Sequence, residues 1–335
     1  MKPKQGTPGW VAGSDVIAPC ATAPHNHILI NVTEDLDIVT QLPPLNKRGL
    51  AMHKGEAGRL FCVAGSMGMV GAATLASRAA LRTGAGLVRV GMPWRLAAVV
   101  AGRDPNVMTS ALPETEDGTI SAMSPAKILK QAEGSDVMLI GPGLSQNPQT
   151  VQAVINLLPQ VKQKLVIDAD GLNAIAHDHC EVLTSIQRTN GLPILTPHPG
   201  EMLRLLGDEY DGASLKEGDE HRRDVAVFFA RKYKVVVVLK GYHTVVTDGT
   251  KVYVNQTGNP GMAKAGVGDV LSGAIAALRC QGLGSFESAC LGVYLHGLAG
   301  DIVCAKMGEI GMIATDIIEE LPEAARRHQA QSEKA

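Results

Sequence analysis

Short apolar runs alternate with segments of helical periodicity along most of this 335-residue chain. Each run is rich in Val, Ile or Leu and is followed by a turn signal, as in strands that are buried on both faces. The predicted strands are Leu60–Ala64, Leu87–Gly91, Val137–Ile140, Leu165–Ile167, Ile194–Leu195 and Val235–Leu239. The predicted helices are Val70–Thr83, Pro148–Leu158, Met202–Leu206, Asp224–Tyr233, Val270–Cys280 and Phe286–Lys306. This alternation predicts an α/β fold with a mostly parallel central sheet and helices on both faces.

One large domain accounts for the pattern, because no linker or internal repeat interrupts it. A hairpin near its C-terminal third is predicted by Asp248–Gly249, which joins the apolar segments Thr244–Thr247 and Val252–Asn255.

The two ends of the chain lack the periodicity of the middle. We expect residues 1–40 to form a loose arm that leans on the body near Leu42, residues 41–322 to form the domain, and residues 323–335 to form a polar tail that is frayed from Arg326.

Composition excludes several classes of function. The formal net charge is −2 and aromatic residues make up 3% of the chain, so neither a nucleic-acid partner nor attraction to an anionic membrane is expected. The longest uncharged stretch, Leu60–Ser77, contains three glycines and is better explained by a strand, a loop and a helix start than by a membrane span. Six scattered cysteines without a CxxC pair are typical of reduced core residues in a cytoplasmic protein.

Two glycine loops follow predicted strands, at the edge of the sheet where ligands bind in such folds. Gly65, Gly68 and Gly71 form GxxGxxG, which is not the dinucleotide-binding GxGxxG spacing, and the helix start that follows carries only small residues, including Ala72. Gly143 belongs to a Gly-Pro-Gly loop after the third predicted strand. Each loop forms either a wall of a site or a plain tight turn.

Three polar motifs also follow predicted strands. Asp168 and Asp170 end one strand, and we favour a site role for Asp168 and helix capping for Asp170. The loop after the next strand holds His198 and Glu201, which could face a substrate and a Mg²⁺ hydration shell, although a lone histidine is more often structural. Lys240 ends an apolar run, where its charge needs either a phosphate partner or a path to solvent.

The most specific motif is Gly266-Val-Gly268-Asp269, which opens a predicted helix. Backbone N–H groups of such glycines form an anion cradle at a helix N-terminus, and the adjoining carboxylate can take a proton from a hydroxyl that attacks phosphorus. A capped helix after a glycine turn explains Asp269 but not both glycines. The P-loop and protein-kinase motifs are absent from the sequence.

Together these motifs resemble the ADP/ATP-dependent NAD(P)H-hydrate dehydratase family, of the ribokinase-like superfamily. The resemblance runs in order from about His53 to Pro322 and includes HKGEAGRLFCVAGS, GPGL, DADGLN, TPHPGE, LKG, GVGD and GVYLHGLAGD. It implies a ribokinase-like fold and a carbon–oxygen lyase activity. By this resemblance, a nucleotide would phosphorylate the ring hydroxyl of (S)-NADHX or (S)-NADPHX, phosphate would leave, and NADH or NADPH would be restored, with AMP and phosphate as products from ADP.

The resemblance also implies site residues and partners. Asp269 would be the catalytic base and would contact the hydrated cofactor together with Ala72, Gly143 and His198. The adenine nucleotide, ADP or ATP, would be held by Lys240, Gly241, Tyr242, His243, Thr244, Gly266 and Gly268. Mg²⁺ is implied, with Glu201 reaching it through water. Relatives form homotetramers, and bacterial ones prefer ADP.

Two features of this chain depart from many relatives. Lys264 and Val267 replace a threonine or glycine and a serine or threonine, and Lys264 either contacts a phosphate or faces water. The leading 50 or so residues are too few for the epimerase domain that some relatives carry, so a separate epimerase is the expected pathway partner. Two alternatives stay open: a ribokinase-like kinase of a vitamin precursor or sugar, and a non-catalytic nucleotide-binding sensor.

Overall fold

The structure, a computed structural model, describes residues 36–45, 47–207 and 218–333. Its strands are β1 (Asp37–Ile38), β2 (Arg59–Val63), β3 (Leu87–Pro93), β4 (Met108–Leu112), β5 (Val137–Ile140), β6 (Lys164–Ile167), β7 (Ile194–Leu195), β8 (Val236–Leu239), β9 (Val245–Thr247) and β10 (Lys251–Val254). They form one sheet in the order β1-β10-β9-β8-β7-β6-β5-β2-β3-β4. Adjacent strands are parallel except where β9 pairs with β8 and β10, so the predicted parallel sheet and hairpin are confirmed.

The helices cover both faces of this sheet. They are α1 (Val70–Arg82), α2 (Ala97–Arg103), α3 (Pro125–Gln131), α4 (Pro148–Leu157), α5 (Asp170–His177), α6 (Val182–Ser185), α7 (Pro199–Leu206), α8 (Asp219–Tyr233), α9 (Val267–Cys280), α10 (Ser285–Met307) and α11 (Ala314–Ser332). Side chains alternate along each strand. In β2, Phe61 and Val63 therefore join the core under α3, α4, α5, α7 and α8, whereas Leu60 and Cys62 join the core under α1, α2, α9 and α10.

The six predicted strands and six predicted helices are all present, and β5 and β7 have the predicted bounds. Edge strand β4 was not predicted, because Thr109 and Ser110 interrupt its apolar pattern. Helices α2 and α3 were also missed, since seven residues give too few turns for a clear helical period.

The predicted fraying of the C-terminal tail is wrong, because α11 continues to Ser332. Ala324 and His328 face the body and are buried, and His328 Nε2 lies 2.9 Å from the carbonyl oxygen of Pro43. The buried face of this part of α11 carries few large apolar residues. The sequence of the segment therefore reads as uniformly polar and did not predict a packed helix.

At the other end, most of the predicted arm lies outside the described residues. Its last residues are not loose, since Asp37 and Ile38 pair in parallel with Lys251 and Val252. Leu42 packs against the core, as predicted.

Helix α10 is the one described helix long and apolar enough to cross a membrane by length and composition alone. Since 72% of its apolar window is buried inside the protein, we interpret it as a core helix. Four of the cysteines, Cys62, Cys180, Cys280 and Cys290, are likewise buried and form no disulfide, as predicted, while Cys304 is partly exposed; Cys20 lies outside the described residues.

Candidate active site

The glycine turn before α9 brings a helix N-terminus to the carboxyl edge of the sheet. Gly266 has φ of 86°, and a Cβ at this position would lie 2.6 Å from Leu75 Cδ1. The left-handed backbone therefore favours glycine, and a Cβ here would also displace the end of the Leu75 side chain. Since α9 begins at Val267, the N–H groups of Gly268 and Asp269 belong to its first turn, where amides lack acceptors within the helix. This end of the helix favours an anion.

Asp269 lies in that first turn with an unusually high proton affinity. Its pKa is raised from 3.8 to about 7, mainly by burial and next by the negative charge of Asp168, with smaller contributions from Asp170 and Glu201. The positive charge of Lys240 acts in the opposite direction. A carboxyl group with a pKa near neutrality is suited to accept a proton during a reaction.

Lys240, at the end of β8, lies between three carboxylates. Its Nζ donates a hydrogen bond to Asp168 Oδ1 at 2.8 Å and lies 3.6 Å from Glu201 Oε2. Burial disfavours its charge, but Asp168, Glu201 and Asp269 outweigh that effect and raise its pKa. A Cβ on Gly268 would lie 3.5 Å from the same Nζ, which places the ammonium group beside the start of α9. The sequence predicted that this lysine either meets a phosphate or reaches solvent. In the structure its charge is instead balanced by neighbouring carboxylates.

Asp168 is fixed in place at the end of β6. Only 1% of its surface is exposed, and its main chain lies so close to Gly141 that a Cβ there would be 1.7 Å from the Asp168 carbonyl oxygen. The predicted capping role of Asp170 is wrong. Its carboxylate accepts hydrogen bonds from Ser145 N at 2.8 Å and Asn173 Nδ2 at 3.1 Å, so it ties α5 to the neighbouring loop.

His198 and Glu201 form a capping box at the start of α7. His198 Nδ1 accepts hydrogen bonds from Gly200 N at 3.0 Å and Glu201 N at 3.2 Å, while Glu201 Oε2 accepts from His198 N at 2.8 Å. Nδ1 is used by the cap, and Nε2 lies 3.4 Å from Glu201 Oε1. A substrate contact of His198 stays a prediction.

A cavity of about 750 Å³ opens beside Lys240 and Gly268. It is also lined by four other residues predicted to hold the nucleotide: Gly241, Tyr242, His243 and Thr244. The rings of Tyr242 and His243 are tilted by 31° to each other with centroids 3.8 Å apart, and Tyr242 is 80% exposed. These residues therefore offer a stacking surface for a flat ring at the mouth of the cleft. Gly266 supports the turn behind the lining rather than belonging to it.

The two glycine loops pack against each other. A Cβ on Gly143 would lie 2.8 Å from Ala72 Cβ, and buried Ser66 Oγ donates a hydrogen bond to Gly143 O at 2.8 Å. Ala72 and Gly143 are therefore neighbours, as a shared substrate wall requires. The exposed side chains of Met67 and Met69 flank this wall.

Two residues that support the cleft were missed from sequence. Arg222 of α8 is buried and donates hydrogen bonds to the carbonyl oxygens of Lys240 at 3.2 Å and Tyr242 at 2.5 Å, which shapes the loop after β8. Asp301 of α10 accepts hydrogen bonds from Gly258 N and Asn259 Nδ2, both at 2.9 Å, which fixes the loop opposite. Arg222 gave no signal because it lies in a charged helical segment.

Lys264 lines the cavity, and its Nζ donates a hydrogen bond to the carbonyl oxygen of Ile310 at 2.5 Å. The sequence predicted either a phosphate contact or exposure to water for Lys264, but not this hydrogen bond to the main chain.

The described residues do not form a Mg²⁺ site made of protein ligands alone. Within the part of the chain that the structure describes, no three His, Cys, Asp or Glu side chains are grouped to hold a metal ion. Glu201 Oε2 is used by His198 N and lies near Lys240, and its Oε1 lies 3.4 Å from His198 Nε2. The water-mediated metal contact of Glu201 stays a prediction.

Comparison with known proteins identifies relatives that match most of this chain, including the segments that form the site. Residues 60–323 match the family model described as NAD(P)H-hydrate dehydratase. The bifunctional NAD(P)H-hydrate repair enzyme Nnr of Moorella thermoacetica is 45% identical over 289 residues, which are 86% of this chain and 52% of the relative. The Escherichia coli enzyme of the same name is 36% identical over 280 residues, or 83% of this chain and 49% of the relative. The chain thus spans about half the length of these curated relatives.

Solved structures match the fold. The ADP/ATP-dependent NAD(P)H-hydrate dehydratase from Bacillus subtilis, co-crystallised with ATP/Mg²⁺, superposes with a TM-score of 0.69 at 28% identity, covering 85% of this chain and 95% of that chain. A ribokinase-like superfamily protein from Enterococcus faecalis gives a TM-score of 0.72 at 24% identity, covering 88% and 98% of the two chains. The ribokinase-like fold expected from the sequence is confirmed.

Proposed function

The chain belongs to the NAD(P)H-hydrate dehydratase family, and we propose that it repairs hydrated reduced nicotinamide cofactors by nucleotide-dependent dehydration. The substrates are (S)-NADHX and (S)-NADPHX, with ADP or ATP as the phosphoryl donor. The observation that carries the proposal is the position of Asp269, an acid with a raised pKa, next to Gly268 at a helix N-terminus beside Lys240.

The first chemical step is phosphoryl transfer to the ring hydroxyl. Asp269 accepts the hydroxyl proton as the oxygen attacks the terminal phosphorus, and the bond from that phosphorus to the nucleotide breaks. The N–H of Gly268 and the ammonium of Lys240 stabilise the charge that develops on the transferred group. With ADP as donor, the nucleotide product is AMP.

The second step is loss of phosphate from the ring. Hydroxide is a poor leaving group, whereas phosphate leaves readily when the ring nitrogen donates its lone pair. Loss of a proton from the neighbouring carbon then restores the double bond of NADH or NADPH. The paired loops at Ala72 and Gly143 form a surface with little side-chain bulk, against which the hydrated ring would lie.

The cavity beside Lys240 suits the adenine nucleotide. It combines the exposed Tyr242–His243 ring pair with backbone groups of the loop after β8 and of the glycine turn. A Mg²⁺ ion would enter bound to the nucleotide phosphates, as part of the co-substrate, and would neutralise part of their charge. The Bacillus subtilis relative with bound ATP/Mg²⁺ supports this assignment, and ADP as the preferred donor stays a prediction.

A repair assay tests the proposal against the small-molecule kinase alternative. Enzymatically hydrated NADH is incubated with the protein, Mg²⁺ and either ADP or ATP, and absorbance at the wavelength of the reduced cofactor is followed together with phosphate release. Recovery of absorbance with equimolar phosphate supports dehydration. A stable phosphorylated product without recovery would show a kinase instead.

The biological setting consists of further predictions from the family. We expect a cytoplasmic homotetramer that acts with an epimerase, because only one epimer of the hydrate is a substrate. Size measurement in solution tests the tetramer, and addition of purified epimerase to a mixture of both epimers tests the partnership.

A further inference from the structure

A buried histidine to which no role has been assigned above contacts the start of α9. His296 of α10 is 7% exposed, and its Nε2 lies 3.1 Å from the carbonyl oxygen of Val267. The same residue lines the cavity beside Lys240 and Gly268.

The proton of this hydrogen bond belongs to the histidine. A carbonyl oxygen only accepts, so Nε2 carries the hydrogen and donates it. Burial, together with the nearby charge of Lys240, lowers the pKa of His296 to about 4, which keeps the ring neutral at physiological pH. The donor is therefore a neutral imidazole N–H.

The carbonyl group that His296 holds shares a peptide plane with the N–H of Gly268. The Val267–Gly268 peptide is trans, so its C=O and N–H point in opposite directions. Fixing the oxygen on one side therefore fixes the hydrogen on the other. We propose that His296 is a positioning residue whose hydrogen bond to Val267 aims the Gly268 N–H at the terminal phosphoryl group of the nucleotide.

The position of this peptide explains why such a support is needed. It follows Gly266 and contains Gly268, and glycine restricts the backbone less than any other residue. Helix ends also fray. Val267 is the first residue of α9, so its carbonyl oxygen is also the acceptor position for the N–H of Leu271 in the helix. Because that helical bond lies in the terminal turn, the second bond from His296 limits rotation of the peptide plane, which would otherwise turn the Gly268 N–H away from the phosphate.

The inference rests on the proposed function for its catalytic part, so its test includes a binding measurement that needs no turnover. The matched variants are His296→Gln, whose side-chain amide can still donate near the Nε2 position, and His296→Met, which has similar length without a donor. Kd is measured by calorimetry for ADP and for AMP at fixed Mg²⁺, and kcat and KM are measured in the repair assay. Unfolding temperature reports on folding.

We expect His296→Met to weaken ADP binding about tenfold with AMP affinity unchanged, because the hydrogen bond to a charged group is lost only for the terminal phosphate. Its kcat should fall about 10- to 100-fold with little change in KM for the hydrated cofactor. His296→Gln should recover most of both losses. If His296→Met does not fold, His296→Asn replaces it, since its amide ends short of the Val267 oxygen.

Equal loss in the Gln and Met variants would overturn the inference and leave His296 as a packing residue. Equal weakening of ADP and AMP would overturn it as well. If the wild type binds ADP but does not repair hydrated NADH, the proposed function fails, whereas a selective ADP loss in His296→Met would still support the positioning role.

Discussion

Lys240 and Asp168 form a buried ion pair at the carboxyl edge of the sheet, with Nζ 2.8 Å from Oδ1. The pair joins the ends of β8 and β6, two strands that β7 separates. Its geometry places one positive charge beside the first turn of α9 without leaving it unpaired in the core. Nearby Asp269 has a raised pKa mainly because it is buried, and the negative charge of Asp168 adds to this rise while Lys240 opposes it.

Breaking this pair should destabilise the protein far more than breaking a surface pair. We expect Lys240→Met to cost about 3–5 kcal/mol in free energy of unfolding, because Asp168 would remain buried without its cation. The control is Lys306→Met, which removes the more exposed Lys306–Glu320 pair and should cost at most about 1 kcal/mol. Denaturant titrations measure both, and similar losses in the two variants would contradict the account.

Activity should rise with pH and level off above about 7, because Asp269 must be ionised to accept a proton. Replacing Asp168 by Asn removes a negative charge that raises the pKa of Asp269, so the midpoint of the kcat/KM profile should move to lower pH. An unchanged midpoint in Asp168→Asn would show that another group controls the profile.

The raised pKa of Asp269 also predicts the pH dependence of stability. The folded protein holds this proton more tightly than the unfolded chain does, so the contribution of Asp269 to stability falls as pH rises from about 4 to about 7. Above that range Asp269→Asn should increase the free energy of unfolding by up to about 4 kcal/mol, and below pH 4 the two proteins should be similar. Denaturant titrations at pH 4 and 8 test the sign, and a loss of stability at pH 8 would contradict it.

Gly266→Ala tests the turn that presents the anion cradle. The new Cβ meets Leu75 as well as a left-handed backbone, so we expect a loss of more than about 2 kcal/mol. Gly68→Ala is the matched control, because Gly68 has φ of 83° but a Cβ added there would have no neighbour within 4 Å. It should cost about 1–2 kcal/mol from conformation alone. Equal losses would show that Leu75 does not restrict the turn.

The sequence predicted the strands that end at the site because their apolar runs are continuous and flanked by turns. Because the carboxyl ends of parallel strands share one edge of a sheet, the sequence also predicted that Asp168, Lys240 and the loop of His198 lie at the same edge. It also predicted an anion cradle at the glycine turn of Gly266 and Gly268, since capping alone does not explain two glycines before a helix, and this role stays a prediction.

Contacts between segments that are distant in the chain could not be predicted from the sequence alone. The pairing of Lys240 with Asp168 joins residues 72 positions apart, and the hydrogen bond from His296 to Val267 depends on how α10 packs against α9. The capping box of His198 was missed for another reason: histidine is an uncommon helix cap, so a structural role was expected for its ring without a helix cap being named.

The most direct test of the account compares wild type and Asp269→Asn in the repair of hydrated NADH, with the Kd of ADP measured on the same samples. We predict that the variant loses about 10²–10⁴-fold in kcat while it keeps ADP affinity within a few fold. Wild-type turnover in Asp269→Asn would contradict the assignment of this carboxylate as the base that activates the hydroxyl.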